Sequence, residues 1–171
     1  MSEAVYDSTD DTKAHIAQVQ QFLGTIFHEI ARRHEAHDAS KLEEPEKSVF
    51  DKVTPQLRGL TYGSDEYKAA LVEMKVALDH HYAKNRHHPE HFRNGMMGMT
   101  LVDLVEMFCD WCAATMRHED GDIGNSIDVN MKRFGYDETL ANIFVNTAQN
   151  YQMGRGNHRA YRKVSTNERP T

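Results

Sequence analysis

The chain has 171 residues, and its 20 Lys and Arg against 26 Asp and Glu give a formal net charge of −6 with His neutral. A chain of this length makes one domain of ordinary size, which excludes two large domains. No apolar run approaches the roughly 20 residues of a membrane helix, and the first residues lack the apolar stretch of a signal peptide. Two cysteines cannot build a disulfide framework, so we expect a protein of a reducing, cytoplasmic compartment.

The two ends of the chain carry opposite charge. The first 12 residues contain four acidic residues and no basic one, whereas the last 21 contain five basic residues and one acidic residue. Such ends are typical of arms outside a folded core. We therefore predict an acidic N-terminal arm over residues 1–11, a helical domain over 12–151 and a basic tail over 152–171.

The first third of the chain predicts two helices. One helix is expected from about Thr12 to His34, because its apolar residues recur at steps of 3 and 4. These residues are Ile16, Val19, Leu23, Ile26 and Ile30. A short second helix is expected from Glu46 to Val53, which Pro55 should end because proline interrupts the helical hydrogen bonds.

The third and fourth helices are predicted from turns and caps. Gly63 and Ser64 indicate a turn and an N-cap before the third helix. Its apolar stripe contains Tyr67, Leu71, Met74, Leu78 and His81. Thr100 and Asp103 have the spacing of a capping box, which predicts a fourth helix that runs to about His118.

Two more helices complete the prediction. Ser126 is expected to cap a fifth helix near Ile127–Phe134, and Asp137 to cap a sixth at Glu138–Tyr151. Strand-like alternation is absent. The sequence therefore predicts an all-α fold, a single-domain bundle of about six helices.

Histidine is the residue type that stands out. Five of the 11 His fall between His80 and His91. His81 continues the apolar stripe of the third helix, so it should point into the core, where a single His usually just hydrogen-bonds a neighbour. Packing alone gives no reason to concentrate five imidazoles, which favours a functional tract, although a solvent-exposed or adventitious metal-binding stretch is the alternative. Pro89 should place His87, His88 and His91 in the loop after the helix.

A second candidate site is the pair His37-Asp38. An imidazole and a carboxylate can chelate one divalent cation if both side chains converge. Lys41, three residues after the Asp, could meet a phosphate as a point charge. The alternative is a surface His beside a helix cap.

Three carboxylates follow one face of the predicted fourth helix, at Asp103, Glu106 and Asp110. Such a stripe is usually solvated, but a neighbouring apolar face could draw one of them inward, and Asp110 is the one we expect to be functional. Cys109 and Cys112 form a CxxC pair without the strand-to-helix context of a redox motif. We expect both thiols to be buried.

The order of these residues resembles that of the HD superfamily of all-helical, metal-dependent phosphohydrolases. His15, then His37-Asp38, then Asp110 is similar to its H…HD…D ligand set, and residues 37–41 match the HDxxK form of several branches. His80-His81 followed by Asp110 also resembles part of the two-metal, HD-GYP-like phosphodiesterases. The chain departs from that branch, because residues 42–79 contain no His and the GYP signature is absent.

Most of the chain, from about His15 to Ala148, more closely resembles DUF5662, an uncharacterised phage and bacterial family. The matching segments are HDASKLEEPE, YGSDEYK, ALDHHYAKNRHHPEHF, LVDLVEMFCDWCAATMRH, GDIGNSI and NTA. This family implies no settled activity.

The HD resemblance implies a hydrolase that attacks a nucleotide or a related small phosphate ester with a metal-activated water. One or two divalent ions are expected, with Mn, Mg, Ni, Zn and Fe as candidates. The expected metal ligands are His15, His37, Asp38, His81, His88 and Asp110. The expected catalytic residues are Lys41, His80 and Arg117, and the expected substrate-binding residues are Lys84, Arg86, His87 and His118.

Two other functions stay open at this point. The HD scaffold also resembles that of iron-dependent oxygenases, and a His-rich site tolerates iron. A non-catalytic protein in which a metal staples helices for a phage–host interaction is the other alternative. The expected partner is a small phosphorylated molecule rather than a membrane or a nucleic acid. Contact of the basic tail with a single strand, through Tyr151 and Tyr161, is kept as an alternative, and a homo-oligomer is left open. If the protein is phage-encoded, the expected compartment is the cytoplasm of the bacterial host.

Overall fold

All regular structure in the described part of the chain is helical. The computed structural model describes residues 6–58, 65–117 and 119–156, and these ranges contain six α-helices and no strand. The helices are α1 Thr9–Ala36, α2 Glu46–Arg58, α3 Asp65–Lys84, α4 Leu101–Thr115, α5 Ile123–Phe134 and α6 Glu138–Tyr151. Short 3-10 helices lie at Ala39–Leu42, Pro89–His91 and Gly95–Gly98. The all-α prediction is confirmed. None of the helices within these ranges has the length and apolar character needed to cross a membrane.

The chain divides into two compact units, residues 1–37 and residues 38–171. The described part of the first unit is essentially α1, which begins three residues before the predicted Thr12 and ends two residues after the predicted His34. Asp7 accepts a hydrogen bond from the backbone N–H of Thr9 at 2.9 Å. Acidic residues in the first turn and basic residues in the last turn complement the helix dipole.

In the second unit, α2 packs on α3. The prediction that Pro55 ends α2 is wrong, because the helix continues to Arg58. Proline fixes φ near the helical value and removes only one backbone donor, so packing can carry a helix through it. The turn predicted at Gly63 and Ser64 and the side chains of Tyr67 and Leu71 lie outside the described residues. The small core between the helices contains Val53, Ala70 and Met74, with Val49, Phe50 and Leu78 at its edge.

Helices α4, α5 and α6 share a larger core with a stack of aromatic rings. Phe108 and Phe144 are stacked with their ring centroids 5.0 Å apart, and Trp111 meets Phe144 edge-on at 5.6 Å. The predicted capping box of Thr100 and Asp103 is confirmed at the start of α4. The helix ends at Thr115, earlier than predicted.

The caps of the last two helices differ in how well the sequence predicted them. Asp137 caps α6 as predicted, and its carboxylate accepts from the N–H of Leu140 at 3.0 Å. Ser126 does not cap α5. Asp122 does, because its side chain accepts from Asn125 N–H at 2.8 Å, which places Ser126 inside the first turn.

The chain beyond α6 folds back onto the junction between α4 and α5. The N–H of Arg155 donates to the Thr115 hydroxyl at 2.9 Å, and its carbonyl accepts from Ile123 N–H at 2.8 Å. Gly121 lies against this junction so closely that a Cβ atom there would be 1.9 Å from the Thr115 carbonyl oxygen. Only glycine fits at that position.

Candidate metal centre

Four side chains of the second unit converge on one point. Asp38, His81, His87 and His88 each offer one ligand atom, and these four atoms lie within 4.8 Å of one another. His81 Nε2 is 2.9 Å from His88 Nε2. The Asp38 Oδ1 atom is 3.3 Å from His81 Nε2 and 3.4 Å from His87 Nε2. We call these four residues the His-Asp cluster.

The spacing of these atoms suits a small transition-metal ion. With metal–nitrogen bonds of about 2.0–2.1 Å, two ligand atoms are about 2.9 Å apart at a right angle and about 3.4 Å apart at the tetrahedral angle. Three of the six separations in the cluster, 2.9, 3.3 and 3.4 Å, span that interval, and all six are within 4.8 Å. Imidazole favours Zn, Fe, Ni and Cu, whereas Mg²⁺ and Ca²⁺ prefer oxygen ligands. A set of three imidazoles and one carboxylate therefore favours the first group of ions.

A left-handed backbone conformation places Asp38 at the cluster. Its φ of 55° and ψ of 14° lie in a region that most residues with a side chain avoid but that Asp tolerates. Its carbonyl accepts from Lys41 N–H at 2.9 Å in the 3-10 helix that follows. Lys41 Nζ also lies 2.5 Å from Asp38 Oδ2, on the carboxylate oxygen that does not face the imidazoles. The turn thus brings one carboxylate and one ammonium group to the same place.

The three imidazoles come from the end of α3 and the loop after it. His81 is in the last turn of α3 and is 2% exposed, and His87 in the loop is 1% exposed. Arg86 anchors this loop, because its Nε and Nη2 atoms donate to the two oxygens of buried Asp103 at 3.1 and 3.0 Å. His88 lies immediately before Pro89, which begins a short 3-10 helix.

Burial favours the neutral form of two cluster imidazoles, His81 and His88, because it lowers the pKa of each. Burial, followed by the neighbouring rings of His87 and His81, lowers the pKa of His88 to about 3. Burial and the charge of Lys41 also lower the pKa of His81, against the opposing effect of Glu46 and Asp38. A neutral imidazole has a free lone pair, which is the form that binds a metal.

Two further carboxylates contact the outer ring nitrogens of the cluster. Glu46 Oε2 accepts from His81 Nδ1 at 2.8 Å, and Glu106 Oε1 lies 3.2 Å from His87 Nδ1. A carboxylate behind a histidine is the usual second partner of a metal-binding imidazole. Neither residue was predicted as part of the site. The sequence contains a signal that could have identified Glu46. It lies on the same helical stripe as Val49 and Val53, and a carboxylate on an apolar stripe needs a buried partner.

The structure brings three of the predicted metal ligands together in the cluster, Asp38, His81 and His88, and it places a carboxylate oxygen of a fourth, Asp110, within 4.8 Å of one of Asp38. His87, predicted to bind substrate, lies among them. Asp110 is half-buried on α4, and its charge acts to raise the pKa of His88. Two other predicted ligands belong to the first unit. His15 lies within α1, and His37 follows its last turn.

The residues predicted to be catalytic or to bind substrate differ from one another in their contacts and exposure. His80 Nδ1 donates to Glu46 at 2.8 Å, and its side chain is partly exposed. The Arg86 guanidinium is held by Asp103 and lies over the Phe92 ring. Lys84 ends α3 and Arg117 follows α4, and both are exposed. His118 lies outside the described residues.

The two cysteines differ from each other. Cys112 is buried, as predicted, but Cys109 is exposed, so the prediction that both thiols are buried is wrong for Cys109. The core of α4–α6 lies on the Cys112 side of the helix. Burial raises the pKa of the Cys112 thiol to about 12. Partial desolvation against α4, followed by the charges of Glu106 and Asp110, raises the pKa of the more exposed Cys109.

Comparison with known proteins identifies one family. Residues 4–153 match DUF5662, a family of unknown function. The chain belongs to this family. No curated protein and no solved structure matches this DUF5662 protein. The comparisons therefore support the family and contain no likeness to HD-domain phosphohydrolases, whose resemblance stays an expectation from motif order.

Proposed function

We propose that this DUF5662 protein binds one divalent transition-metal ion in the His-Asp cluster and hydrolyses a small phosphate ester of the nucleotide type. The observation that carries the proposal is the convergence of three ring nitrogens and one carboxylate oxygen within 4.8 Å. Asp38, His81, His87 and His88 would hold the ion, which when bound would supply a hydroxide near neutral pH by lowering the pKa of a coordinated water.

The number of protein ligands bears on the choice of ion. Four protein ligands fill the coordination shell of a tetrahedral ion, which is typical of structural zinc sites. A six-coordinate ion in the same cluster keeps two positions for a water and a substrate oxygen. Hydrolysis therefore favours Fe²⁺ or Ni²⁺ over Zn²⁺.

Lys41 is the cation best placed to hold a phosphate beside the cluster. Its ammonium group lies 2.5 Å from the outer oxygen of Asp38, and its side chain is 35% exposed. A phosphate at the cluster could therefore contact Lys41 from the solvent side. Arg86, the other predicted cation nearby, already donates to both oxygens of a fully buried carboxylate. The developing negative charge of the transition state would thus be stabilised by Lys41.

Metal content tests the binding site. We expect one equivalent of metal in the wild-type protein and a loss of that metal in His88→Gln. His91→Gln is the matched control, since this His is in the same tract but donates from Nδ1 to the Tyr82 carbonyl at 2.9 Å. Equal metal content in wild type and His88→Gln would refute the site.

Turnover tests the reaction. Protein loaded with Fe²⁺ or Ni²⁺ is screened against nucleotides and generic phosphodiesters, with phosphate or alcohol release as the readout. At saturating metal, Lys41→Met should lower kcat about 100-fold, the usual effect of removing one transition-state donor. Lys75→Met, an exposed control on α3 that pairs with Asp79, should leave kcat unchanged. Absence of turnover by the loaded wild type would refute the hydrolase.

A structural metal site is the second candidate. The cluster joins the turn at Asp38, the end of α3 and the loop at His87–His88, so a bound ion would link three separate segments. A metal that binds only the folded state stabilises it in proportion to its affinity. Tight zinc binding, a large loss of thermal stability on chelation and no turnover would together favour this function.

A further inference from the structure

A single buried carboxylate connects two histidines behind the His-Asp cluster. Glu46, the first residue of α2, is 0% exposed. Its Oε1 accepts from His80 Nδ1 at 2.8 Å, and its Oε2 accepts from His81 Nδ1 at 2.8 Å. The two imidazoles are adjacent on α3, and each takes one oxygen of the same group.

The hydrogen bonds around Glu46 require it to be ionised. A carboxyl group is a stronger acid than an imidazolium, so in the two 2.8 Å contacts with His80 and His81 the protons lie on the imidazoles. Ser40 is the third hydrogen-bond partner of the carboxylate. An unpaired buried carboxylate would be costly, and three donors offset that cost. Glu46 is therefore an anion that only accepts hydrogen bonds.

Asn85 and Ser40 form a chain of hydrogen bonds that leads to Glu46. The Asn85 amide nitrogen lies 2.8 Å from Ser40 Oγ, 2.9 Å from the His81 carbonyl oxygen and 3.0 Å from His81 Nδ1. Its two protons go to the two oxygens, which leaves His81 Nδ1 to the Glu46 carboxylate at 2.8 Å. The Ser40 hydroxyl, which accepts from Asn85, is thereby free to donate its own proton to Glu46. Because the ionised Glu46 can only accept hydrogen bonds, His80 and His81 must each carry a proton on Nδ1.

We infer that Glu46 is a positioning residue, which fixes His81 in the tautomer with its proton on Nδ1 and so directs the Nε2 lone pair into the His-Asp cluster. The inference rests on the proposed metal site. His80 shares the carboxylate and so holds it in place. His80 therefore contributes to the metal centre indirectly, through its hydrogen bond to Glu46.

This role predicts a measurable change in metal affinity. Loss of a carboxylate behind a metal-binding histidine typically weakens metal binding about 10–100-fold. In Glu46→Gln the shape is kept, but one of the two positions becomes an N–H₂ group that faces a ring N–H. One of the two histidines must then rotate or change tautomer. Glu43→Gln is the matched control, because Glu43 is an exposed carboxylate three residues away.

Two measurements test the inference on the full chain. In metal-free wild type, ¹⁵N NMR of the imidazoles should show the His81 proton on Nδ1, and this reading needs no variant. Competition with a chromophoric chelator should show that Glu46→Gln binds Ni²⁺ or Zn²⁺ about 10–100-fold more weakly than wild type, while Glu43→Gln is unchanged.

The outcomes separate the two proposals. A His81 proton on Nε2, or a folded Glu46→Gln that binds Ni²⁺ and Zn²⁺ as tightly as wild type, overturns the role of Glu46. A wild-type protein that binds neither ion overturns the metal site itself, whatever the tautomer. A purely structural role would lower the melting temperature of metal-free Glu46→Gln and leave the tautomer of His81 as it is.

Discussion

Asp103 is the residue whose replacement should link the fold to the candidate site. Its carboxylate is fully buried and accepts from both Arg86 nitrogens. It also accepts from the N–H and the hydroxyl of Thr100, within the capping box of α4. Arg86 directly precedes His87 and His88, so this ion pair fixes the loop that carries two of the four cluster side chains.

The cost of Asp103→Asn can be worked from these contacts. The amide keeps the shape and part of the cap but loses the charge that two Arg86 donors face. Hydrogen bonds to charged groups contribute about 1.5–3 kcal/mol. Because the Arg86 side chain is 40% exposed, solvent screening favours the lower part of this range. We expect a loss of about 2 kcal/mol, which corresponds to a melting temperature lower by about 4–8 °C for a chain of this size.

Calorimetric unfolding of the metal-free protein measures this loss, with Asp137→Asn as the control. Asp137 is an exposed N-cap that pairs with no arginine among the residues that the structure describes. Asn caps about as well as Asp, so the control should cost only a few tenths of a kcal/mol. In metal titrations, Asp103→Asn should also bind Ni²⁺ more weakly. Equal melting temperatures for the two variants would refute the reasoning.

Three further predictions concern single positions. Gly121→Ala should destabilise the protein by more than about 1 kcal/mol in urea unfolding, because the added Cβ would be 1.9 Å from the Thr115 carbonyl oxygen and the backbone must move. At the left-handed residue Asp38, replacement by Ala should leave a less stable metal-free protein than replacement by Gly, by about 1–2 kcal/mol, the reverse of the usual order. Iodoacetamide at pH 8 should label exposed Cys109 before buried Cys112, and both more slowly than free cysteine, because raised thiol pKa values leave little thiolate.

Each of these predictions has a clear contrary result. Unchanged stability of Gly121→Ala would show that the junction between α4 and α5 has room for a methyl group. An Ala variant at position 38 that is more stable than the Gly variant would contradict the positive φ. Labelling of Cys112 first, or of Cys109 at the rate of free cysteine, would contradict the environment of α4.

The helical fold was predictable because helices are encoded locally. The capping box at Thr100 and the N-cap at Asp137 depend on residues three positions apart, and both were read correctly. The errors at Pro55 and Ser126 arose where local rules compete. A helix that packs on its neighbour can continue through a proline, as α2 does through Pro55. Asp122 precedes Ser126 in the chain and caps α5, so the helix begins before Ser126.

The sequence by itself determined the helix periodicity, the burial of His81 on the stripe of α3 and the prediction of a polar site from five clustered histidines. Only the tertiary structure decided which side chains meet. Glu46 behind His81, Glu106 beside His87, and Asp103 holding Arg86 are contacts across 17 to 35 residues. Such distances depend on how α2, α3 and α4 pack, and packing is set by the combined shape of many side chains. A spacing pattern within one helix contains no information about it.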